Sequence, residues 1–193
     1  PRREFILDKN YVMSSKDLCA LPILDRLVDA GINVFKIEGR AKGPEYVYTV
    51  TNAYREAIDL IEENKFTKKK IGELLEQLNK VFNRGFSNNF YLGVPTNDSW
   101  TKFYGSIAKE KKFKLGKVTN YFAKIGVVAV LINQGELNKG DEVFFSGPTT
   151  GYYKLKVNEL RVEDKLVDVA NPGDEVSFKV NERVRDTDSL FLI

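Results

Sequence analysis

Cys19 is the first residue in this sequence that could do chemistry, because it is the single cysteine among 193 residues. It follows a polar turn at residues 14–17, after an apolar run at residues 11–13 that is typical of a buried parallel strand. Active sites of (β/α) barrels gather at the C-terminal ends of such strands. A thiol there can bind a metal, but a cysteine in an apolar stretch also serves as a small core residue. The residues alone leave both roles open.

Glu38 and Arg40 form a second candidate, for substrate or anion binding. They follow an apolar run at residues 34–37, which predicts a second strand, and precede a helix that begins at Gly43-Pro44. Charged side chains beside a helix N-terminus can hold an anion, and the last loops of (β/α) barrels often bind phosphate. An ion pair between the two side chains that fixes the loop is the alternative.

Arg84 is the third candidate, within the segment Asn-Arg-Gly-Phe at residues 83–86. An arginine beside aromatic residues can stack on bases or bind an anion, and it can equally serve as a clamp between domains.

Other catalytic classes are restricted by composition. The chain has no histidine, which excludes serine–histidine or cysteine–histidine catalysis confined to these residues, and it carries no Walker loop or dinucleotide fingerprint. The formal charge of +3 does not by itself indicate a nucleic-acid binder. Lysine runs at residues 68–70 and 109–117 could contact phosphates or simply form solvated surfaces. No apolar run reaches the ~20 residues of a membrane span, and one cysteine suits a reducing cytoplasm.

The elements that would position these residues change character near residue 100. Up to that point strand-like runs alternate with helical periodicity, which predicts βα units. Beyond it the apolar period is two, with frequent glycine turns, and the tetrapeptide Gly-Asp-Glu-Val occurs at residues 140–143 and 173–176. We therefore predict an α+β chain: the C-terminal βα units of a (β/α) barrel at residues 1–100, followed by a small antiparallel β-barrel at residues 101–193.

Several segments in order resemble the collagenase-like peptidase family U32. They lie at residues 15–19, 29–32, 36–40, 44–47, 53–58 and 81–86. Asn88-Asn89 departs from the Thr-Gly usual in that family. Residues 116–193 resemble the family's C-terminal barrel, which is similar to the second domain of elongation factor Tu.

This resemblance implies a (β/α)-barrel parent enzyme, of which the chain retains the last two βα units. Some family members are linked to oxygen-independent hydroxylation of transfer RNA, ribosomal RNA or a quinone precursor, with a four-iron four-sulfur cluster held by four cysteines. Cys19 falls where the last of those cysteines lies. The chain alone is then expected to hold no cofactor and to be inactive.

The expected partners are transfer RNA or ribosomal RNA, the N-terminal part of the parent, and a second copy that covers the βα units. No membrane partner is expected. The alternatives are a peptidase, as the family name says, or a non-catalytic binding or oligomerisation module.

Overall fold

The computed structural model describes residues 14–193, which form two compact units that meet between Glu110 and Lys111. The predicted boundary lay ten residues earlier. Residues 101–110 stay with the first unit because Ile107 and Lys109 donate backbone N–H bonds of 2.8 and 2.9 Å to the carbonyls of Asn83 and Asn79. The strand predicted at residues 11–13 lies outside the described residues.

Helices dominate the described part of the first unit. Its elements are β1 (Asp17–Leu18), a 3₁₀ turn (Leu21–Ile23), α1 (Leu24–Asp29), α2 (Pro44–Glu62), α3 (Lys68–Lys80), β2 (Phe86–Ser87) and a second 3₁₀ turn (Asn97–Ser99).

The helix boundaries follow from local chemistry. Pro44 occupies the first turn of α2, where a missing N–H costs nothing, and Gly43 is its N-cap. Gly31 has a φ of +84° two residues after α1 ends, a conformation that suits glycine. The hydroxyl of Thr67 caps α3 by accepting the backbone N–H of Lys70.

One apolar cluster holds the helices of the first unit together. Ala53 and Ala57 of α2 and Leu74 of α3 are fully buried there, with Leu21 and Leu24 from the preceding segment. The three- and four-residue spacing read from the sequence therefore identified the packed helix faces correctly.

β1 and β2 pair in parallel, with Asp17 opposite Phe86 and Leu18 opposite Ser87. Parallel pairing was predicted for this half. The strand predicted at residues 34–37 is wrong, since this segment has no regular secondary structure and Val34 is 84% exposed. A strand requires a neighbouring backbone, and β1 is paired with β2 rather than with this segment.

The second unit is built from short strands. They are β3 (Phe113–Phe122), β4 (Val127–Ile132), β5 (Leu137–Asn138), β6 (Glu142–Gly147), β7 (Gly151–Lys156), β8 (Leu160–Val162), β9 (Lys165–Val167), β10 (Val169–Ala170), β11 (Glu175–Lys179) and β12 (Ser189–Leu192).

Eight of these strands form one antiparallel sheet in the order β7-β6-β12-β3-β4-β11-β8-β9, and β5 pairs with β10 separately. The antiparallel prediction is confirmed, and the chain as a whole mixes helix with sheet. The predicted closed barrel is wrong, because no ladder joins β7 to β9 among the described strands. Single backbone bonds, such as Lys139 N–H to Asp168 O at 2.9 Å, link this side instead. The strands still surround one apolar core.

Both Gly-Asp-Glu-Val segments are tight turns that lead into strands, as predicted. Gly140 and Gly173 have φ values of +97° and +98°. Asp141 and Asp174 each accept a backbone N–H from the residue three positions earlier, at 2.8 and 2.7 Å. Across residues 14–193, none of the helices combines the length and apolar character needed to cross a membrane.

Candidate functional site

A cavity of about 560 Å³ lies in the first unit, beside β1 and the residues that follow it. This volume is within the range of small-ligand sites. The wall is apolar over much of its area, from side chains such as Phe35, Ile37 and Val50. Its principal polar residues are Asp17, Cys19, Glu38, Lys42, Tyr46, Tyr54 and Arg84.

Cys19 follows β1 directly and is 3% exposed. Its backbone N–H donates to the carbonyl of Ser87 at 2.9 Å, which extends the pairing of β1 with β2 and fixes the cysteine on the cavity wall. Burial raises the pKa of the thiol, and hydrogen bonds from the backbone N–H of Leu21 and from Tyr54 offset this only in part. The thiol is therefore protonated near neutral pH.

Tyr54 is the side chain that contacts the sulfur of Cys19. Its hydroxyl donates to Sγ over 3.7 Å and accepts the backbone N–H of Ala20 at 3.1 Å. Burial raises the pKa of this phenol, and the neighbouring cysteine raises it further. The sequence pattern placed Tyr54 only on the apolar stripe of α2, since periodicity identifies a buried face without showing where a hydroxyl points.

Arg84 binds Asp17 rather than reaching between the two units. Its Nε and Nη2 donate to Oδ1 of Asp17 at 3.2 and 3.0 Å, and its backbone N–H donates to Oδ2 at 2.9 Å. This three-fold contact joins the start of β1 to the segment before β2. Both side chains line the cavity, so the pair also contributes charge to its wall.

Glu38 and Arg40 are close in the structure, but through the backbone. Oε1 of Glu38 accepts the backbone N–H of Arg40 at 2.7 Å, and the next residue, Ala41, has a φ of +58°. Glu38 lines the cavity, whereas Arg40 is exposed and is absent from the lining. The N-terminus of α2, expected to face an anion, is approached by a protein carboxylate: a Cβ added at Gly43 would lie 2.3 Å from Oε2 of Glu45.

Lys42 is a cavity residue that sequence reasoning missed. Its Nζ lies 3.4 Å from the centre of the Phe82 ring and 5.4 Å from that of Tyr46, both within cation–π range. Burial lowers the pKa of Lys42, and the opposing effect of Asp17 is smaller. Lys42 stands in the loop before Gly43, and nothing in its spacing indicated a cavity-facing position.

These residues can supply at most one ligand to a four-iron cluster, because the chain has one cysteine. The described residues contain no group of three or more histidine, cysteine or acidic residues placed to hold a metal ion. Cys19 nevertheless fits the role of a single ligand, since its sulfur lies on the wall of a cavity and accepts a hydrogen bond.

Residues 2–101 match the model of Peptidase family U32. The chain belongs to this family. Among its U32-related proteins, a protein named collagenase from Porphyromonas gingivalis is 45% identical over 188 residues, 97% of this chain and 45% of the relative. The tRNA hydroxylation protein P1 of Bacillus subtilis is 32% identical over 182 residues, 92% of this chain and 42% of the relative. The chain thus spans less than half the length of these two relatives.

Among solved structures, the chain is similar to the C-terminal domain of a U32 peptidase from Geobacillus thermoleovorans. The identity is 26% and the TM-score is 0.39, over 40% of this chain and 96% of that domain.

Proposed function

We propose that this U32 chain is the C-terminal part of an iron–sulfur enzyme that hydroxylates RNA in the cytoplasm. In this proposal the first unit is the end of a (β/α) barrel, and the second unit docks the RNA. The relative named for tRNA hydroxylation supports this, because its similarity extends over 92% of the chain, including both units.

The observation that carries the proposal is the position of Cys19 on the cavity wall. A buried sulfur that follows a parallel strand, and that faces a cavity with charged residues, suits a ligand to a redox centre. Cys19 would supply one thiolate to a four-iron cluster, the remaining three coming from outside this chain. When bound, such a cluster supplies electron transfer at the cavity.

The other cavity residues suit a phosphate-bearing substrate. Lys42 and Arg84 are cationic, and Tyr46 offers an aromatic ring next to Lys42. Arg84 is held by Asp17, which fixes its guanidinium in one orientation. In the proposal Glu38 closes the loop at the rim of the cavity, and Arg40, which is exposed beside it, contacts the substrate backbone.

A peptidase is the second candidate, favoured by the relative named collagenase at 45% identity. The environment of Cys19 argues against a thiol nucleophile, since such cysteines have a lowered pKa and a neighbouring base. Here burial raises the pKa, and the side chain that contacts the sulfur is a tyrosine hydroxyl. A non-catalytic binding module is the third candidate.

The test uses the full-length protein that contains this chain, purified without oxygen. Iron, acid-labile sulfide and visible absorbance are measured for the parent sequence, for Cys19→Ser and for Thr51→Ser, a control on the exposed side of α2. We expect a cluster in the parent and in Thr51→Ser, and its loss or marked depletion in Cys19→Ser. An iron-free parent, or a cluster unchanged in Cys19→Ser, would overturn the proposal. Cleavage of a collagen peptide by iron-free protein would then favour the peptidase.

A further inference from the structure

The second unit carries an unusual group of aromatic side chains on the outer face of its sheet. Phe144 of β6 stacks on Phe191 of β12, with ring centres 4.9 Å apart and planes 10° apart. The ring of Tyr152 from β7 lies 5.0 Å from that of Phe144. The outer face of an antiparallel sheet is ordinarily polar, so three adjoining rings there require an explanation.

Strand register shows that these rings lie outside the core. Phe145 and Leu190, the immediate neighbours of Phe144 and Phe191, are fully buried in the apolar core, and successive side chains of a strand point to opposite faces. Phe144 is itself only 2% exposed, because Phe191 and Tyr152 lie against it. Phe191 and Tyr152 are half-buried, so each keeps part of its ring accessible.

Lysines surround these rings. Phe191 is opposite Lys114 on one side and Phe144 on the other, and Phe144 is opposite Lys154, which places the four residues in one row across four strands. Nζ of Lys112 lies 5.5 Å from the centre of the Phe191 ring. We name this surface the aromatic–lysine face. Its members are Phe144, Tyr152, Phe191, Lys112, Lys114, Lys117, Lys154 and Lys156.

The charge on this face is concentrated, not a property of the whole unit. Residues 111–193 include 13 basic and 12 acidic residues, a nearly neutral balance. The aromatic–lysine face has five of those basic residues, and its acidic neighbour is Glu142, which forms a 2.8 Å ion pair with Lys154. A cationic surface within a neutral unit favours a polyanionic partner.

We propose that the aromatic–lysine face binds a single-stranded segment of RNA, with bases stacked on Phe191 and Tyr152 and phosphates contacted by the surrounding lysines. Proteins that bind single strands combine these two features, because every base has a face that can stack and every nucleotide a phosphate. Sheet-borne aromatic rings perform this function in other RNA-binding folds. The choice of RNA as the nucleic acid rests on the function proposed above.

The test measures binding of a fluorescent 12-nucleotide single-stranded RNA to the whole chain by anisotropy, over a series of salt concentrations. The double variant Lys114→Gln/Lys154→Gln removes two lysines of the face. The matched control, Lys165→Gln/Lys179→Gln, removes two exposed lysines from β9 and β11, on the other side of the sheet. We expect roughly a tenfold loss of affinity and a salt slope that is shallower by about 1 in the first variant alone.

A second variant tests stacking separately from charge. Phe191→Leu keeps an apolar side chain but removes the ring, and it should weaken binding about fivefold or more while leaving the salt slope unchanged. Thermal unfolding of each variant verifies that the unit is folded, and Tyr152→Leu provides a second ring deletion if Phe191→Leu unfolds.

Equal loss in both lysine pairs, or no effect of either ring deletion, would overturn the proposal. Absence of any RNA binding would also overturn it and leave the face to a protein partner. Neither result bears on the cluster test, because that test depends on Cys19 in the first unit.

Discussion

The hydroxyl of Tyr54 joins two backbone-distant parts of the first unit, donating to Sγ of Cys19 at 3.7 Å while accepting the N–H of Ala20 at 3.1 Å. Tyr54 stands in the middle of α2, and Cys19 follows β1, 35 residues earlier. The contact therefore holds the candidate ligand in position by means of a helix, which is more rigid than a loop. A ligand held this way is pre-oriented before any metal binds.

Tyr54→Phe should destabilise the first unit by about 1–2 kcal/mol, because the N–H of Ala20 loses its acceptor in a partly buried place. The single tryptophan, Trp100, belongs to the first unit, so its fluorescence during urea unfolding reports on this change. Tyr104→Phe is the control, since Tyr104 is 90% exposed, and it should alter stability by less than about 0.5 kcal/mol. Equal effects of the two substitutions would contradict the structural role of the Tyr54 hydroxyl.

Stability at alkaline pH should depend on Tyr54. Because burial raises its pKa in the folded state, its contribution is complete below the unfolded pKa of about 10 and is lost as the pH rises through the folded value. The advantage of the parent chain over Tyr54→Phe should therefore shrink by about 1 kcal/mol between pH 9 and pH 11. Lys42 has a lowered pKa and acts in the opposite direction, but it is present in both proteins. A difference that stays constant over this range would show that the phenol is not buried.

Asp17→Asn should destabilise the first unit by about 1–2 kcal/mol, since it weakens three hydrogen bonds from Arg84. The matched control is Glu63→Gln, which removes the exposed ion pair of Glu63 with Lys65, whose side chains are 57% and 67% exposed. Such pairs contribute little, so the control should change the free energy of unfolding by no more than about 0.5 kcal/mol. The measurement is again Trp100 fluorescence in urea, and a larger effect in the control would be incompatible with the described pairing.

Gly116→Ala should destabilise the second unit by about 2–3 kcal/mol, because an added Cβ would lie 2.0 Å from the carbonyl oxygen of Leu131 on the adjacent strand. Hydrogen exchange followed by mass spectrometry should show faster exchange across β3 and β4. The same substitution at Gly72 of α3 meets no atom within 4 Å. Gly72→Ala should therefore stabilise its helix by about 0.5–1 kcal/mol. Unchanged exchange in Gly116→Ala would disprove the close strand approach.

The sequence by itself determined the elements whose causes are local. Pro44 and Gly43 set the start of α2, and the two Gly-Asp-Glu-Val segments set turns into β6 and β11. Apolar spacing identified the buried faces of α2 and α3 and the alternation of the strands. These features depend on the dihedral preferences and side-chain periods of neighbouring residues, which the order of residues records directly.

Only the tertiary structure decided the partners. Residues 34–37 have the composition of a strand, yet no paired backbone makes them one, and alternation in the second unit could not show that β7 and β9 remain apart. Arg84 was a candidate clamp between domains until Asp17, 67 residues away, proved to be its partner. Lys42 and Tyr54 carried no local sign of a cavity. Contacts between residues far apart in sequence depend on how whole elements pack, and packing depends on the shape and hydrogen-bonding capacity of every neighbour at once.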